Sequence, residues 1–543
     1  MKDLRSRPAL LDTLHAGFIA SAARWPDRPA LLQGEERWTY AAVDTAARRL
    51  AAGLLAISDA PKRVGILARR SFTSYTGVLG ALFSGAAFIP LNPTLPISRL
   101  RAIAEAAELD AIICEDKHIA LLRPLHNGRL PPVLLADASR RKIENIDGLR
   151  VLDSDDLCVI EPLRAPVRIA PDDIAYILFT SGTTGIPKGV PISHANAASF
   201  LNVNLARYLI EPEDVLSQTF EQSFDLSVFD IFMAWSAGAS LYSFTHTELL
   251  APLSVIQSRG ITVWFSVPSM IAMQLRLGPF LPGSLPTLRL SLFCGEPLVR
   301  EHAEAWQQAA PASVLENLYG PTELTIACAA HRWNRETSPG MCSNGIVPIG
   351  RLYEPLSRQI VDQDLEPVAR GEIGELCVAG PQTFAGYWRN PEATAAAFYE
   401  STNCDGKSAH FYRTGDLVRE LPNGELRFVG RRDHQIKLGG HRIELAEIEA
   451  ALRAQPNVVE AAAFAWPPNA TVIEKIVASV SGSALDGETL RRRLRSVLPA
   501  YMVPARIDII ETMPRTNSGK LDKRGLSDIV AMAVNSTEAF DAR

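Results

Sequence analysis

Residues 176–191 read YILFTSGTTGIPKGVP. An apolar, strand-like run leads into Thr180, Ser181, Gly182, Thr183, Thr184, Gly185, Lys188 and Gly189. Hydroxyls and glycine amides at this density form a nest for anionic oxygens. Glycine lets the backbone come close, and Lys188 adds positive charge. The spacing is not that of a GxxxxGK[ST] loop. A buried strand running into such a loop belongs to α/β layers, and the flanking segments repeat the pattern. Residues 40–56 carry apolar positions at helical spacing, KRVGILA (62–68) reads as a buried strand, and 72–85 as a helix. AAFIPLNP (86–93) reads as a strand ending in a proline turn, and AELDAIICED (107–116) repeats the helix-to-strand step. Apolar runs at 215–220, 239–243 and 261–268 continue the series. Strands alternating with helices predict a parallel sheet.

The character changes after about residue 340. The short segments IGRLY, RQIVD, GELCVAG and GELRFVG, broken by Gly and Pro, predict a compact β region. A charged stretch, GRRDHQIKLGGHRIE (430–444), leads into the helical pattern ELAEIEAALRAQ. The tail predicts strands at AAAFAW and KIVASVSG, a helix over 487–498, and a strand in RIDIIETMP. The expected class is α/β: a large N-terminal domain of stacked α/β sheets plus a small β region (1–432), then a small, mobile α+β lid (433–543).

Composition narrows the function. A chain of 543 residues calls for two or three domains. A net charge of -5 offers no basic footprint for nucleic acid. The seven cysteines are scattered without a CxxC pair, which argues against a disulfide framework or zinc site and fits a reducing compartment. No apolar run approaches a membrane span, and the N-terminus lacks the apolar core of a signal peptide. A cytoplasmic enzyme is expected.

The 180–189 loop resembles the phosphate-binding signature of the adenylate-forming (AMP-binding) enzymes, which include acyl-CoA synthetases, luciferases and the adenylation domains of nonribosomal peptide synthesis. LYGPTELT (318–325), GEIGELCVAGPQTFAGYW (371–388), YRTGDLVRELPNGELRFVGRRDHQIKLGGHRIEL (412–445) and PRTNSGKLDKRGL (514–526) resemble further signatures of that family, in family order. The resemblance implies ATP and Mg2+ as cofactors. By it, Tyr319 stacks on adenine, Asn317 reads the amino edge, and Gly295, Glu296 and Pro297 pack on the other face. Gly320 and Thr322 complete the nucleotide set. Glu323 would hold Mg2+, since a hard cation bridging phosphates suits a carboxylate. Asp416 would accept both ribose hydroxyls, with Arg431 as a second ribose or phosphate contact.

Lys520 is implied as the catalytic lysine, with Lys188 and Thr184 beside it. A substrate carboxylate and the α-phosphate are both anionic, and a preplaced ammonium with Mg2+ offsets their repulsion most in the transition state. Asp433 resembles the family's hinge. About it the lid swings between a state with Lys520 over the phosphate and one in which Lys437–His441 faces the site and admits a thiol. LGGHR (438–442) resembles the start of a phosphopantetheine attachment site, but Arg442 stands where serine is needed. The acceptor is therefore expected to be a separate carrier protein bearing phosphopantetheine.

FEQSFDLSVFDIF (220–232) bears on the substrate. Amino-acid adenylation domains place an aspartate at the position of Asp225, where it pairs with the substrate's ammonium, because an unpaired buried charge is costly. The alternative is that Asp225 caps the helix expected over 226–235. The resemblance then gives the pocket walls as Leu226, Phe229, Phe265, Leu292, Cys294, Leu318, Ile326 and Ala327. No base, acid or amide stands among them, so a small apolar amino acid is expected. The set resembles that of free-standing L-prolyl–carrier-protein ligases. It departs at Phe265, where tyrosine is usual, at Cys294, where alanine is usual, and at Ala327, where cysteine is usual. One methylene in an apolar pocket discriminates by only about 1–3 kcal/mol. L-Proline is thus the leading expectation, with D- or L-alanine, valine and other small amino acids open. An acyl- or aryl-CoA ligase of the same family, and an inactive scaffold on this fold, are the competing readings.

Overall fold

The computed structural model describes residues 10–125, 130–137, 149–180, 187–402, 406–433, 435–468, 470, 472–515, 525–526 and 530. Two large sheets form the N-terminal body. The first has seven strands in the order Val151–Leu152, Val133–Leu135, Ala111–Cys114, Arg63–Leu67, Ala87–Pro90, Ile174–Thr180 and Lys188–Ser193. Its neighbours pair in parallel except the last two, which form an antiparallel hairpin. Ala111–Cys114 is buried along its whole length, as a parallel strand covered on both faces must be. Helix Phe72–Phe83 is buried from Thr73 onward, so its apolar residues run round every side. Its N-terminus is closed by a reciprocal box between Ser71 and Ser74.

The second sheet has nine strands, in the order Arg351–Leu352, Ala329–Arg332, Val314–Tyr319, Leu290–Phe293, Val263–Ser266, Val215–Gln218, Ser240–Ser243, Pro29–Gln33 and Glu36–Thr39. From Val314–Tyr319 to Pro29–Gln33 all pairings are parallel. Residues from both sheets, among them Ile66, Tyr176 and Phe265, merge with Phe229 of helix Leu226–Ala237 in one apolar core. The C-terminal ends of the parallel strands open together on one side, the usual place for a ligand crevice in such sheets.

A five-stranded antiparallel sheet follows, built from Ser357–Val361, Ile373–Ala379, Phe398–Thr402, Ser408–Glu420 and Leu426–Arg431. This is the expected β region with one correction. Residues 351–352 of IGRLY pair with Ala329–Arg332 at the edge of the nine-stranded sheet instead. A two-residue strand carries too little alternation to reveal which sheet it joins. Beyond Arg431 lies a separate hairpin, Gln435–Leu438 with His441–Glu444. A three-stranded sheet then forms from Val458–Trp466, Lys475–Gly482 and Arg506–Ile509, with helices Leu445–Arg453 and Gly487–Leu494. The last helix ends at Leu494, not 498. Leu498 precedes Pro499, and a residue before proline is pushed out of the helical region. No helix among the described residues is long and apolar enough to cross a membrane.

Candidate active site

Two clefts meet at the C-terminal ends of the parallel strands. The first, of about 560 Å3, is lined by Glu296, Pro297, Asn317, Leu318 and Tyr319. The second, of about 500 Å3, is lined by Thr180, Asp225, Leu226, Cys294, Thr322 and Ile326. Gly295, Gly320, Asp416, Arg431, Gln435 and Lys437 belong to both. The residues expected at adenine and those expected at the amino acid therefore face two spaces with a common wall.

Strand order explains this convergence. Asn317 and Tyr319 end one strand, Cys294 follows the next, and Phe265 lies on the third, in register with Leu292. Asn317 donates from Nδ2 to the Pro348 carbonyl at 2.9 Å. Its Oδ1 is buried and has no partner among the described residues. A lone acceptor on a cleft wall suits an amino group. The Tyr319 hydroxyl donates to Asp416, and the Arg431 guanidinium pairs with the other oxygen of that carboxylate. Arg431 also holds Asp433 through two hydrogen bonds of 2.7 Å. One guanidinium thus joins the expected ribose residue to the expected hinge.

Thr180 ends the strand of the long apolar run and is in register with Lys188 on the return strand. The Lys188 ammonium lies 5.5 Å from the centroid of the Tyr387 ring. Ser181, Gly182, Thr183, Thr184 and Gly185 fall outside the described residues, as does Lys520 with its neighbours Asn517, Ser518 and Gly519.

Asp225 is 8% exposed at the head of helix Leu226–Ala237. Its side chain makes no capping bond, so the capping alternative is not used. No ion pair to it occurs among the described residues. Burial lifts its pKa to about 6 and a nearby Glu323 pushes the same way, while hydrogen bonds to Thr322 and the Leu226 backbone and the more distant charge of Lys437 work against them.

All eight expected wall residues are buried in the main core. Leu226, Cys294 and Ile326 face the second cleft and Leu318 the first. Phe229, Phe265, Leu292 and Ala327 stand behind, outside the lining of either cleft. The Phe229 and Phe265 rings meet edge-on with centroids 4.9 Å apart. Below lies Glu316, fully buried and on the same strand face as Leu318. It accepts from Arg207 at 2.8 and 3.0 Å, from Arg332 at 2.8 Å and from the Tyr208 hydroxyl at 2.9 Å. The pocket wall itself is strained. Thr325 and Ile326 have φ of 58° and 75°, rare for non-glycine residues and rarer for β-branched ones.

Glu323 is 1% exposed. Both its oxygens accept from Arg442 Nη1 at 2.9 Å, and Oε1 also accepts from the Tyr387 hydroxyl at 2.8 Å. Burial would raise its pKa, but the Arg442 charge and the hydrogen bonds outweigh that, and the carboxyl titrates below its usual range. An ionised, buried carboxylate is the donor type a hard metal ion requires, although here Arg442 already occupies both oxygens. Among the described residues no cluster of three or more such ligands occurs, so a metal here would draw its other oxygens from phosphate and water.

Arg442 belongs to the hairpin Gln435–Glu444. The turn residues Gly439 and Gly440 both have positive φ, 58° and 78°, as the tightest hairpin turns demand. A Cβ on Gly440 would come within 2.5 Å of Val267, so the tip is pressed against the cleft wall. His441 stacks on Tyr501 at 3.4 Å and meets Phe224 edge-on at 4.7 Å. Lys437 lies 5.9 Å from the Tyr319 centroid. Sequence reasoning placed Lys437–His441 near the site but gave Arg442 no role there. Its partner is 119 residues away, and no local signal marks such a pair.

Residues 18–388 match the family model described as AMP-binding enzyme, and residues 447–520 match that of the AMP-binding enzyme C-terminal domain. The L-proline–[L-prolyl-carrier protein] ligase of Pseudomonas fluorescens is 32% identical over 522 residues, covering 95% of this chain and 98% of the ligase. A linear gramicidin synthase polypeptide of Brevibacillus parabrevis is 33% identical over 518 residues, 94% of this chain, but this chain spans only 6% of that protein's length. Among solved structures, the adenylation domain AlmE of Vibrio cholerae, in complex with glycyl-adenosine-5'-phosphate, is similar with a TM-score of 0.83. It is 30% identical and covers 96% of this chain and 98% of its own.

A Cβ on Gly320 would lie 2.5 Å from Ala327 Cα and 2.9 Å from Cys328 N, both backbone atoms that cannot swing away. Gly320→Ala is expected to lower the unfolding free energy by about 1–3 kcal/mol in a denaturant titration. It should also weaken nucleotide binding, since Tyr319 precedes it. An unchanged denaturation midpoint would show that the strand ends are not packed this closely.

Proposed function

This chain belongs to the AMP-binding enzyme family, and from that premise we propose that it adenylates a small apolar amino acid and passes the aminoacyl group to the phosphopantetheine thiol of a separate carrier protein. Members of the family use ATP with Mg2+. The reading is carried by Asp225, a buried carboxylate without a capping bond and without an ion pair among the described residues, in a cleft that shares a wall with Tyr319 and Asn317. A substrate ammonium is the missing cation. The packed apolar wall behind Asp225, where the Phe229 and Phe265 rings meet, supports a small apolar side chain. L-Proline remains the leading candidate, supported by the resemblance of the wall residues and by the Pseudomonas ligase. Glycine, alanine or valine would meet the same charge requirement.

In the proposed reaction a substrate carboxylate oxygen attacks the α-phosphorus. The bond to the bridging β-oxygen breaks, and pyrophosphate leaves with that electron pair. The thiol sulfur then attacks the acyl carbon, AMP leaves with the electrons of the acyl–oxygen bond, and the thiol proton passes to solvent. Asp225 orients the ammonium, Asn317 and Tyr319 hold adenine, and Asp416 with Arg431 holds ribose. Glu323 would hold Mg2+, which when bound neutralises phosphate charge. Lys188 and the 180–185 loop would cradle the phosphates, and Lys520 would offset charge at the α-phosphate. Asp433 would be the pivot of the C-terminal part. An acyl- or aryl-CoA ligase is the second reading, under which Asp225 has no partner to wait for.

Pyrophosphate exchange with a panel of proline, alanine, glycine, valine and aryl acids tests this directly. Exchange confined to amine-free acids would reject the amino-acid reading. Asp225→Ala is expected to abolish exchange with amino acids while ATP binding, measured by calorimetry, is largely kept; full turnover in that variant would remove the amine pairing.

The titration of Asp225 sets a pH limb. The carboxylate form that pairs with ammonium predominates above about 6 and is lost as the proton returns below it. The kcat/KM for the amino acid should be flat at neutral pH and fall about tenfold per unit below that point. A profile without this limb would contradict the pairing. Lys520→Ala is expected to lose adenylate formation by about a hundredfold or more while keeping much of the transfer from preformed adenylate; equal loss of both steps would sink its assigned role.

A further inference from the structure

The carboxylate proposed for the metal is already in use. Glu323 gives both oxygens to Arg442 and one also to Tyr387. A carboxylate has about four lone-pair sites, and two bonds from Arg442 with one each from Tyr387 and Tyr412 take them up. Mg2+ would need one of these oxygens as a ligand. A divalent ion there would sit beside a guanidinium bonded to the same two atoms, in a site closed to water. The two cations exclude one another. Glu323 always needs one or the other, because an ionised carboxylate at 1% exposure requires a counter-charge.

Arg442 is attached to the hairpin that occupies the cleft mouth, and that seat is a defined one. Helix Leu445–Arg453 follows the hairpin directly, and its Glu447 forms a buried ion pair with Arg99 of helix Ile97–Ala107. His441 is fixed between Phe224 and Tyr501. Whichever cation Glu323 holds therefore decides whether this hairpin is seated.

We infer that Glu323 serves both half-reactions in turn, with Arg442 as its second cation. This rests on the proposed adenylation and transfer chemistry. While nucleotide and metal are bound, Arg442 is displaced and the hairpin is unseated. Once pyrophosphate and its metal have gone, Arg442 takes the carboxylate and brings Lys437 and His441 to the cleft mouth for acyl transfer. Arg442 is then a positioning residue that ties the order of the two steps to the charge on one side chain.

The test uses the full chain with Mn2+ as probe and α,β-methylene-ATP, followed by electron paramagnetic resonance. Removing the competing cation in Arg442→Gln should tighten Mn2+ binding by about five- to tenfold. Arg442→Lys should fall between that variant and the parent. Arg99→Ala, which loosens the seat without touching Glu323, should shift affinity the same way and keeps the test valid if Arg442→Gln fails to fold. In activity, Arg442→Gln should lower the ratio of transfer to pyrophosphate exchange by at least about tenfold. Parent-like Mn2+ affinity in both Arg442→Gln and Arg99→Ala would overturn the inference, as would an unchanged ratio. The metal readout does not depend on which acid is activated. A shift in Mn2+ affinity with no amino-acid exchange would leave the shared carboxylate standing while removing the substrate assignment.

Discussion

Three carboxylates, Asp225, Glu323 and Asp416, lie in or beside the joined clefts at 8%, 1% and 3% exposure. Taking a carboxylate out of water costs several kcal/mol unless a cation or a full set of donors compensates, so each must be accounted for. Asp416 has Arg431 and the Tyr319 hydroxyl. Glu323 has Arg442 and the Tyr387 hydroxyl. Asp225 alone of the three has no ion-pair partner among the described residues, and burial pushes it upward, to about 6, where Glu323 is held low. This contrast within one site indicates where an incoming cation is wanted. It is a sharper argument for an amine substrate than the presence of an aspartate near a pocket.

The same accounting separates the competing readings. For an acyl- or aryl-CoA ligase, Asp225 would need an internal use, and capping the following helix is the natural one. The helix begins at Leu226, yet the Asp225 side chain meets the Leu226 backbone without making a capping hydrogen bond. An inactive scaffold would have no reason to keep Asn317 Oδ1 buried and unpaired on a cleft wall, since an unmade hydrogen bond there costs about 1–3 kcal/mol. Strain at Thr325 and Ile326 points the same way. Residues are held in rare backbone conformations where the surrounding fold over-determines them, most often at functional sites.

What was legible in the sequence was what is local. The strands at 62–68, 86–93 and 173–182 and the helices at 40–56 and 72–85 follow from short-range periodicity, and the structure has them within a few residues. Asn317 and Tyr319 reach the cleft because parallel strands present their C-terminal ends on one side, whereas Asp416 comes to them from inside the antiparallel strand Ser408–Glu420. What was hidden depends on pairings between distant segments. IGRLY looked like the start of the β region but edges the large sheet. Arg442 looked like a residue that merely spoiled a carrier-type motif, but its guanidinium closes on a carboxylate 119 positions earlier. The ion pair of Arg99 with Glu447 spans 348 positions. The eight wall residues share one core, yet only four of them face a cleft.

Arg431 shows how these local charges are wired into one device. Its guanidinium reaches Asp416 on one side and Asp433 on the other, and desolvation alone would disfavour its charge. The two carboxylates keep it ionised. In the proposed reading a ribose draws on Asp416, and the chain pivots at Asp433, so any change in the demands on the first carboxylate alters how firmly Arg431 holds the second. Together with Arg442 on Glu323, this gives the hairpin Gln435–Glu444 an ionic contact with the nucleotide site at each end of its connection to the body. Two arginines, each paired with a buried acid, Asp416 or Glu323, define a seat, because breaking either pair leaves that buried carboxylate without its counter-charge. They are also replaceable, because a ligand that brings its own charge can take either place. A boundary held by apolar packing alone would have no such coupling to what occupies the cleft.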